Sequence, residues 1–197
     1  MINNQIFKIM KKVLLCAAFA VFALTTTNAQ DEDSSMGFSK SDLYVSGSVG
    51  LASVSSDGDS NTGYSISPTI GYFLSDNIAL EADLTYSDAG VDDSSAFGIG
   101  LGAVYYFSPA EQFSFGIGGG FDYNSADAGA DIKLNTMFIG VSPGMSYFVS
   151  DSFALRAVVG SLGYSSSKAD TDGAEAINTF GFSLDLDSIE FGVTYKF

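Results

Sequence analysis

From residue 43 onward, apolar side chains recur at every second position, and no stretch sustains a helical period. Leu43, Val45, Val49 and Leu51 alternate with Tyr44, Ser46, Ser48 and Gly50. Tyr64, Ile66, Pro68, Ile70 and Tyr72 alternate with Ser65, Ser67, Thr69, Gly71 and Phe73. The same beat runs through Ile78 to Tyr86, Phe97 to Phe107, Phe113 to Tyr123 and Met137 to Tyr147. Phe153, Leu155, Ala157 and Val159 begin a seventh run, and Ile189, Phe191, Val193, Tyr195 and Phe197 finish an eighth. Successive side chains of an extended chain point to opposite faces, so each run predicts a strand with one apolar face. Two slips in parity, one before Leu162 and Tyr164 and one near Asp187 and Ser188, predict bulges in the last two strands.

Most runs span 9 to 13 residues, the length with which a tilted strand crosses a bilayer core. Their connections alternate as well. Residues 75–77, 108–112 and 149–152 are tight, whereas 55–63, 87–95, 124–135 and 165–179 are long and acidic. Alternation alone also fits a soluble barrel with an apolar interior. The other parity decides between them. It carries mainly Gly, Ser, Ala and Thr, not the charges a water-facing surface needs, and small residues suit a narrow lumen. Aromatic residues gather at strand ends, as in interfacial girdles. Tyr72, Tyr105, Phe107, Phe113, Tyr147, Phe153, Tyr195 and Phe197 fall at one rim, and Tyr64, Tyr86, Phe97, Phe121 and Tyr123 at the other. The expected fold is all-β: an eight-stranded antiparallel up-and-down transmembrane β-barrel with short periplasmic turns and longer extracellular loops.

The amino end has a different pattern. Lys8, Lys11 and Lys12 precede an apolar core at 13–24, and Thr25 to Ala29 supply a small-x-small site. This is the layout of a signal peptide, residues 1–29, cleaved after Ala29; the core is too short for a membrane-spanning helix. Cys16 follows Leu15 rather than a small residue, so the segment is not a lipoprotein signal, and removing it removes the only cysteine. Residues 30–42 then read as a polar periplasmic linker and 43–197 as the barrel. Three lysines leave with the signal, so five cations face 23 acidic residues, a net charge of −18. Such a chain offers phosphates no basic face, and nucleic acid is excluded as a partner.

Taken with the ending Phe191-Gly192-Val193-Thr194-Tyr195-Lys196-Phe197, the alternating strands resemble the outer membrane protein beta-barrel domain family, the small eight-stranded barrels of the OmpA/OmpX type. The resemblance spans residues 43–197. It implies a cell outer membrane location, contact with outer-membrane lipid, and recognition of the terminal Phe197 by the barrel-assembly machinery. It says little about role, because such barrels include structural proteins, adhesins, porin-like channels and enzymes.

An internal repeat adds detail. Residues 66–82 match 141–157 at nine of 17 positions, sharing Ser-Pro, Tyr-Phe, Ser-Asp and Ala-Leu pairs. The unit is a hairpin, and its copies lie four strands apart, halfway round a ring of eight. Its one charge reversal, Glu81 against Arg156, therefore falls at similar heights on opposite inner walls. A lumen charge network of Glu81 and Arg156, with Asp83 or Glu190, is the expected structural feature, since unpaired charges in a tight interior are costly. Pro68 and Pro143 lack a ladder donor, and a bulge at each is expected.

No catalytic, cofactor or metal site is expected. The chain contains no His, which excludes Ser-His-Asp and Cys-His catalysis and His-ligated zinc. Asp92 and Asp93 read as solvated loop residues. The stretch Asp170-Thr171-Asp172-Gly173 lacks the remaining ligands of a calcium loop. The glycines of 98–102 lie in a strand with no helix to receive phosphate. The expected role is that of a non-enzymatic barrel, structural or presenting its acidic loops to a surface partner. A narrow pore for small solutes or apolar molecules is the second reading, and a lipid-modifying enzyme without His the third.

Overall fold

The computed structural model describes residues 36–56, 59–90, 94–130, 132–184 and 190–197. Alternation is realised as ten strand segments: β1 (Leu43–Ser56), β2 (Asp59–Phe73), β3 (Ile78–Asp88), β4 (Ser95–Tyr106), β5 (Phe113–Asp127), β6 (Lys133–Phe148), β7 (Phe153–Val158), β8 (Ser161–Ala169), β9 (Ile177–Ser183) and β10 (Glu190–Lys196). All pairings are antiparallel. Each of β1 to β6 pairs with its successor, β7 lies between β6 and β10, and β10 returns to β1 with Tyr44 opposite Lys196. β8 continues the seventh wall strand along β6, and β9 carries the eighth along β8. The result is a closed barrel of eight strands. Closure through β10 and β1 partners the backbone at the short-turn end, as a lipid surround requires, whereas among the described residues β9 pairs with β8 alone.

The break between β7 and β8 is the expected bulge. Gly144 faces Val158 and Val141 faces Leu162, so the seventh strand holds one residue more than β6 between those pairs. Gly160 takes the left-handed φ of +67° at this point, where a Cβ would lie 2.3 Å from the Ser183 carbonyl oxygen. Only glycine fits there. The extra residue moves the outward positions from Phe153, Leu155 and Ala157 to Leu162 and Tyr164. Pro143 sits opposite and accepts the Val159 N–H at 3.0 Å. Pro68 behaves differently from expectation. Ile66 faces Tyr86 and Thr69 faces Asp83 in one unbroken register, so the ladder lapses at Ser67 and Pro68 without a bulge. The missing donor is accommodated by a gap alone. The bulge expected near Asp187 and Ser188 lies outside the described residues.

The connections at the far end are shorter than their sequences suggested. The β1–β2 ladder continues to Ser56 opposite Asp59, β5–β6 to Asp127 opposite Lys133, and β6–β8 to Leu134 opposite Ala169. Pairing outlasts the apolar alternation because hydrogen bonding sustains a ladder where no lipid-facing side is needed.

Apolar residues cover the outside of the wall, with Leu101 61% and Ile139 59% exposed. Aromatic pairs mark both rims: Tyr64 and Tyr86 at one, and Phe153 with Tyr195, and Tyr105 with Phe107, at the short-turn end. The packed core lies inside the short-turn end of the barrel.

Candidate functional site: the barrel lumen

Three layers of inward side chains fill the lumen from the short-turn end outward. The lowest is aromatic. Tyr44, Phe73, Tyr106 and Phe148 point inward from β1, β2, β4 and β6, and all four are buried. Phe38, 1% exposed, stands in the middle of them, with ring centroids 4.8 Å from Phe73 and from Phe148, 5.2 Å from Tyr44 and 5.3 Å from Tyr106. Residues 36–42, the described part of the segment that the sequence reads as a linker, turn back into the barrel mouth. Gly37 adopts a φ of +108° beside the 109–110 backbone, and the Phe38 N–H donates to the Pro109 carbonyl at 2.5 Å. Asp42 closes the turn by accepting the Ser39 N–H at 2.7 Å. Lys196 donates to the Gly37 carbonyl at 2.6 Å and lies 3.8 Å from Asp42. Ser114 and Ser146 are buried in the wall nearby, and the Ser114 hydroxyl has no hydrogen-bond partner.

The middle layer holds the charge pair. Arg156 reaches across from β7 and meets Glu81 of β3 in a bidentate bridge, Nη1 to Oε1 at 2.5 Å and Nη2 to Oε2 at 2.9 Å. The Tyr44 hydroxyl donates to the same Oε1 at 2.5 Å. The side chains are 12% (Glu81) and 19% (Arg156) exposed, so the pair is largely removed from water. Its neighbours in the wall are small: Gly71 and Gly102 flank Glu81, and Ser146 and Gly192 flank Arg156. At Gly71 the reason is direct, because a Cβ would fall 2.0 Å from the Tyr44 ring.

The upper layer is acidic. Asp83 and Asp122 face each other across Gly100 of β4, where a Cβ would lie 2.2 Å from one carboxylate and 2.5 Å from the other. Thr85 donates to Ser67 at 3.3 Å beside them. Glu190 enters the β10 ladder opposite Val158, and its side chain is outside the described residues. Of the four residues expected to share a lumen network, Glu81 and Arg156 are bonded, and Asp83 stands one layer above them. Two cavities flank the pair. One of about 320 Å³ borders Ser46, Ser67, Thr69 and Thr85; the other, of about 150 Å³, runs along the glycine-rich wall of β4, β5 and β6.

Sequence reasoning placed Tyr44 and Phe73 on the inner parity without seeing that they form a layer. The signal was present in the doublets Tyr72-Phe73, Tyr105-Tyr106 and Tyr147-Phe148. Adjacent strand residues face opposite sides, so each doublet sends one ring to the lipid rim and one inward. Phe38 had no such signal. Among the described residues, no group of His, Cys, Asp and Glu side chains has the arrangement of a metal site.

A closed antiparallel ring with an apolar exterior, aromatic rims and a polar lumen is a transmembrane β-barrel. Residues 14–197 match the outer membrane protein beta-barrel domain family, and the chain belongs to it. Its place is the outer membrane. Among solved structures it is similar to the N-terminal β-barrel domain of Pseudomonas aeruginosa OprF, at 14% identity and a TM-score of 0.52, covering 81% of this chain and all of that one. OprG of the same organism matches at 14% identity and a TM-score of 0.49, over 82% and 98% of the two chains. Neisserial surface protein A matches at 22% and 0.48, over 79% and 97%. No curated protein matches the sequence.

Proposed function

We propose that this protein is a non-enzymatic outer-membrane barrel whose lumen is shut to ions at rest and which acts through its outer, acidic end. Its role is to support the envelope or to hold a surface partner. The observation carrying this reading is the buried aromatic layer that closes the short-turn end of the lumen, with the Glu81–Arg156 bridge narrowing the passage above it. A side-chain-filled interior is what an eight-stranded barrel can hold. Asp88, Asp127, Asp170, Asp172 and Glu175 stand at or beyond the outer strand ends, so a surface partner carries complementary basic groups. Residues 1–29 act as a cleaved export signal, and Phe197 as the terminal aromatic for the assembly machinery. The test is single-channel recording of the refolded mature barrel in planar bilayers. Silence at moderate voltage is expected; steady conductance steps from the wild type would replace this reading with that of a constitutive narrow pore.

A further inference from the structure

We propose that residues 37–38 are a removable plug, and that withdrawing Phe38 converts the barrel into a cation-preferring channel. The Glu81–Arg156 bridge crosses the middle layer without filling it. Beside the bridge, the cavity of about 150 Å³ borders Asp122 and Phe138 in its upper part and Tyr106 and Ser146 in its lower part. A water takes up about 30 Å³ of liquid, so that space admits a short file of water past the charge pair. Its side toward β4 and β5 is bordered by Gly102, Gly118 and Gly120, which carry no side chains, while the Phe138 ring lies over Gly140. Further out, among the described residues, β9 pairs with β8 alone and both of its faces are exposed. The inward residues of β9, Thr179, Gly181 and Ser183, are all exposed, and a Cβ on Gly181 would meet nothing within 4 Å. Below the bridge, the aromatic layer is what separates this path from the short-turn end, and Phe38 is its central ring.

Phe38 differs from the four rings around it in how it is held. Tyr44, Phe73, Tyr106 and Phe148 belong to wall strands. Phe38 belongs to the segment that precedes β1; the Pro109 carbonyl and the Lys196 ammonium hold its residues 37–38, while Ser41 and Asp42 carry the β1–β2 pairing one step further by bonding the Phe73 carbonyl and N–H. The Pro109 and Lys196 contacts can be released, freeing Phe38 to swing out about residues 39–41, without opening a strand pair. Withdrawal leaves a ring-sized gap between Phe73 and Phe148, in line with the cavity above. The path it opens passes Glu81, Asp83 and Asp122 against Arg156, so its field favours small cations over anions.

The test is conductance of the refolded mature chain carrying Phe38→Ala, with folding checked by the gel shift between boiled and unboiled samples. Open probability rises on the order of tenfold or more over the wild type, since a buried ring is removed from the closed state alone. The reversal potential in a salt gradient reports cation preference, and Asp83→Asn with Asp122→Asn in the Phe38→Ala background weakens it. A Ser146→Cys thiol, buried in the wild type, becomes reactive to a cationic methanethiosulfonate when Phe38→Ala is added. If Phe38→Ala lacks the folded gel migration, Lys196→Met loosens the same segment without emptying the aromatic layer and raises conductance in its place. A folded variant with wild-type conductance and an unreactive Ser146→Cys overturns the plug. A wild type that conducts, and conducts more with Phe38→Ala, instead overturns the closed resting state proposed above while leaving the plug standing.

Discussion

At the scale of single residues, one carboxylate organises the lumen. Glu81 accepts two bonds from Arg156 and one from Tyr44, and each of those partners would be costly to leave buried alone. Removing one member of a buried pair strands the other charge, at a cost of about 3–5 kcal/mol. Arg156→Ala should therefore lower the thermal midpoint of the barrel markedly in detergent. Glu81→Ala combined with Arg156→Ala should recover part of that loss, and the exchange Glu81→Arg with Arg156→Glu should recover most of it. Unchanged midpoints in both single variants would show that the two charges are not coupled. Tyr44→Phe removes one charge-assisted bond while the ring stays over Gly71, so it should cost less, about 1–2 kcal/mol by the same melting measurement. A loss equal to that of Arg156→Ala would mean that the hydroxyl, not the guanidinium, holds Glu81 in place.

At the scale of elements, the seventh wall strand shows how one residue re-aims a whole face. β7 directs odd positions to the lipid and β8 even ones, and the extra residue between them sits at Val159 and Gly160. Without it, Leu162 and Tyr164 would point into the lumen. Gly160→Ala puts a side chain at a φ of +67° and against the Ser183 carbonyl. Strain of this kind costs about 1–3 kcal/mol. The variant should fold with a lower midpoint, while Gly181→Ala, whose added methyl meets open space, should match the wild type. Equal midpoints for the two would mean that the bulge relaxes freely. This parity change was legible in the sequence because lipid enforces it on the outer face. The unbulged gap at Pro68 was not, because a missing donor can be met either by an inserted residue or by a lapse in the ladder. Neighbouring strands choose between these.

At the scale of the whole molecule, eight crossings return the chain to the side on which it started, and both ends of the barrel should lie on the periplasmic side. Cysteines at Asp172, beyond the end of β8, or at Asp92, between β3 and β4 in the sequence, should react with an impermeant maleimide on intact cells. Cysteines at Asp76 or Asp151, in the turns after β2 and β6, should react only after the outer membrane is permeabilised. The inverted pattern would reverse the orientation of the barrel and move the Phe38 layer to the cell surface. Intact-mass measurement of the purified protein should find a chain beginning at Gln30; retention of residues 1–29 would refute the export signal.

What the sequence determined by itself was whatever repeats along the chain. A period of two recurred over eight runs, since lipid on one side and a crowded lumen on the other impose opposite demands on neighbouring residues. The hairpin repeat placed Glu81 and Arg156 at equivalent positions half a ring apart, which is why a pair 75 residues apart could be expected from spacing alone. Only the tertiary structure decided what depends on the closed ring. Which inward rings form a layer follows from strand stagger, and the strand ends follow from a ladder that outlasts the alternation. The seating of Phe38 was beyond any periodic signal. It is one aromatic in a polar segment, and its pocket exists only when β1, β2, β4 and β6 bring four rings to the same height.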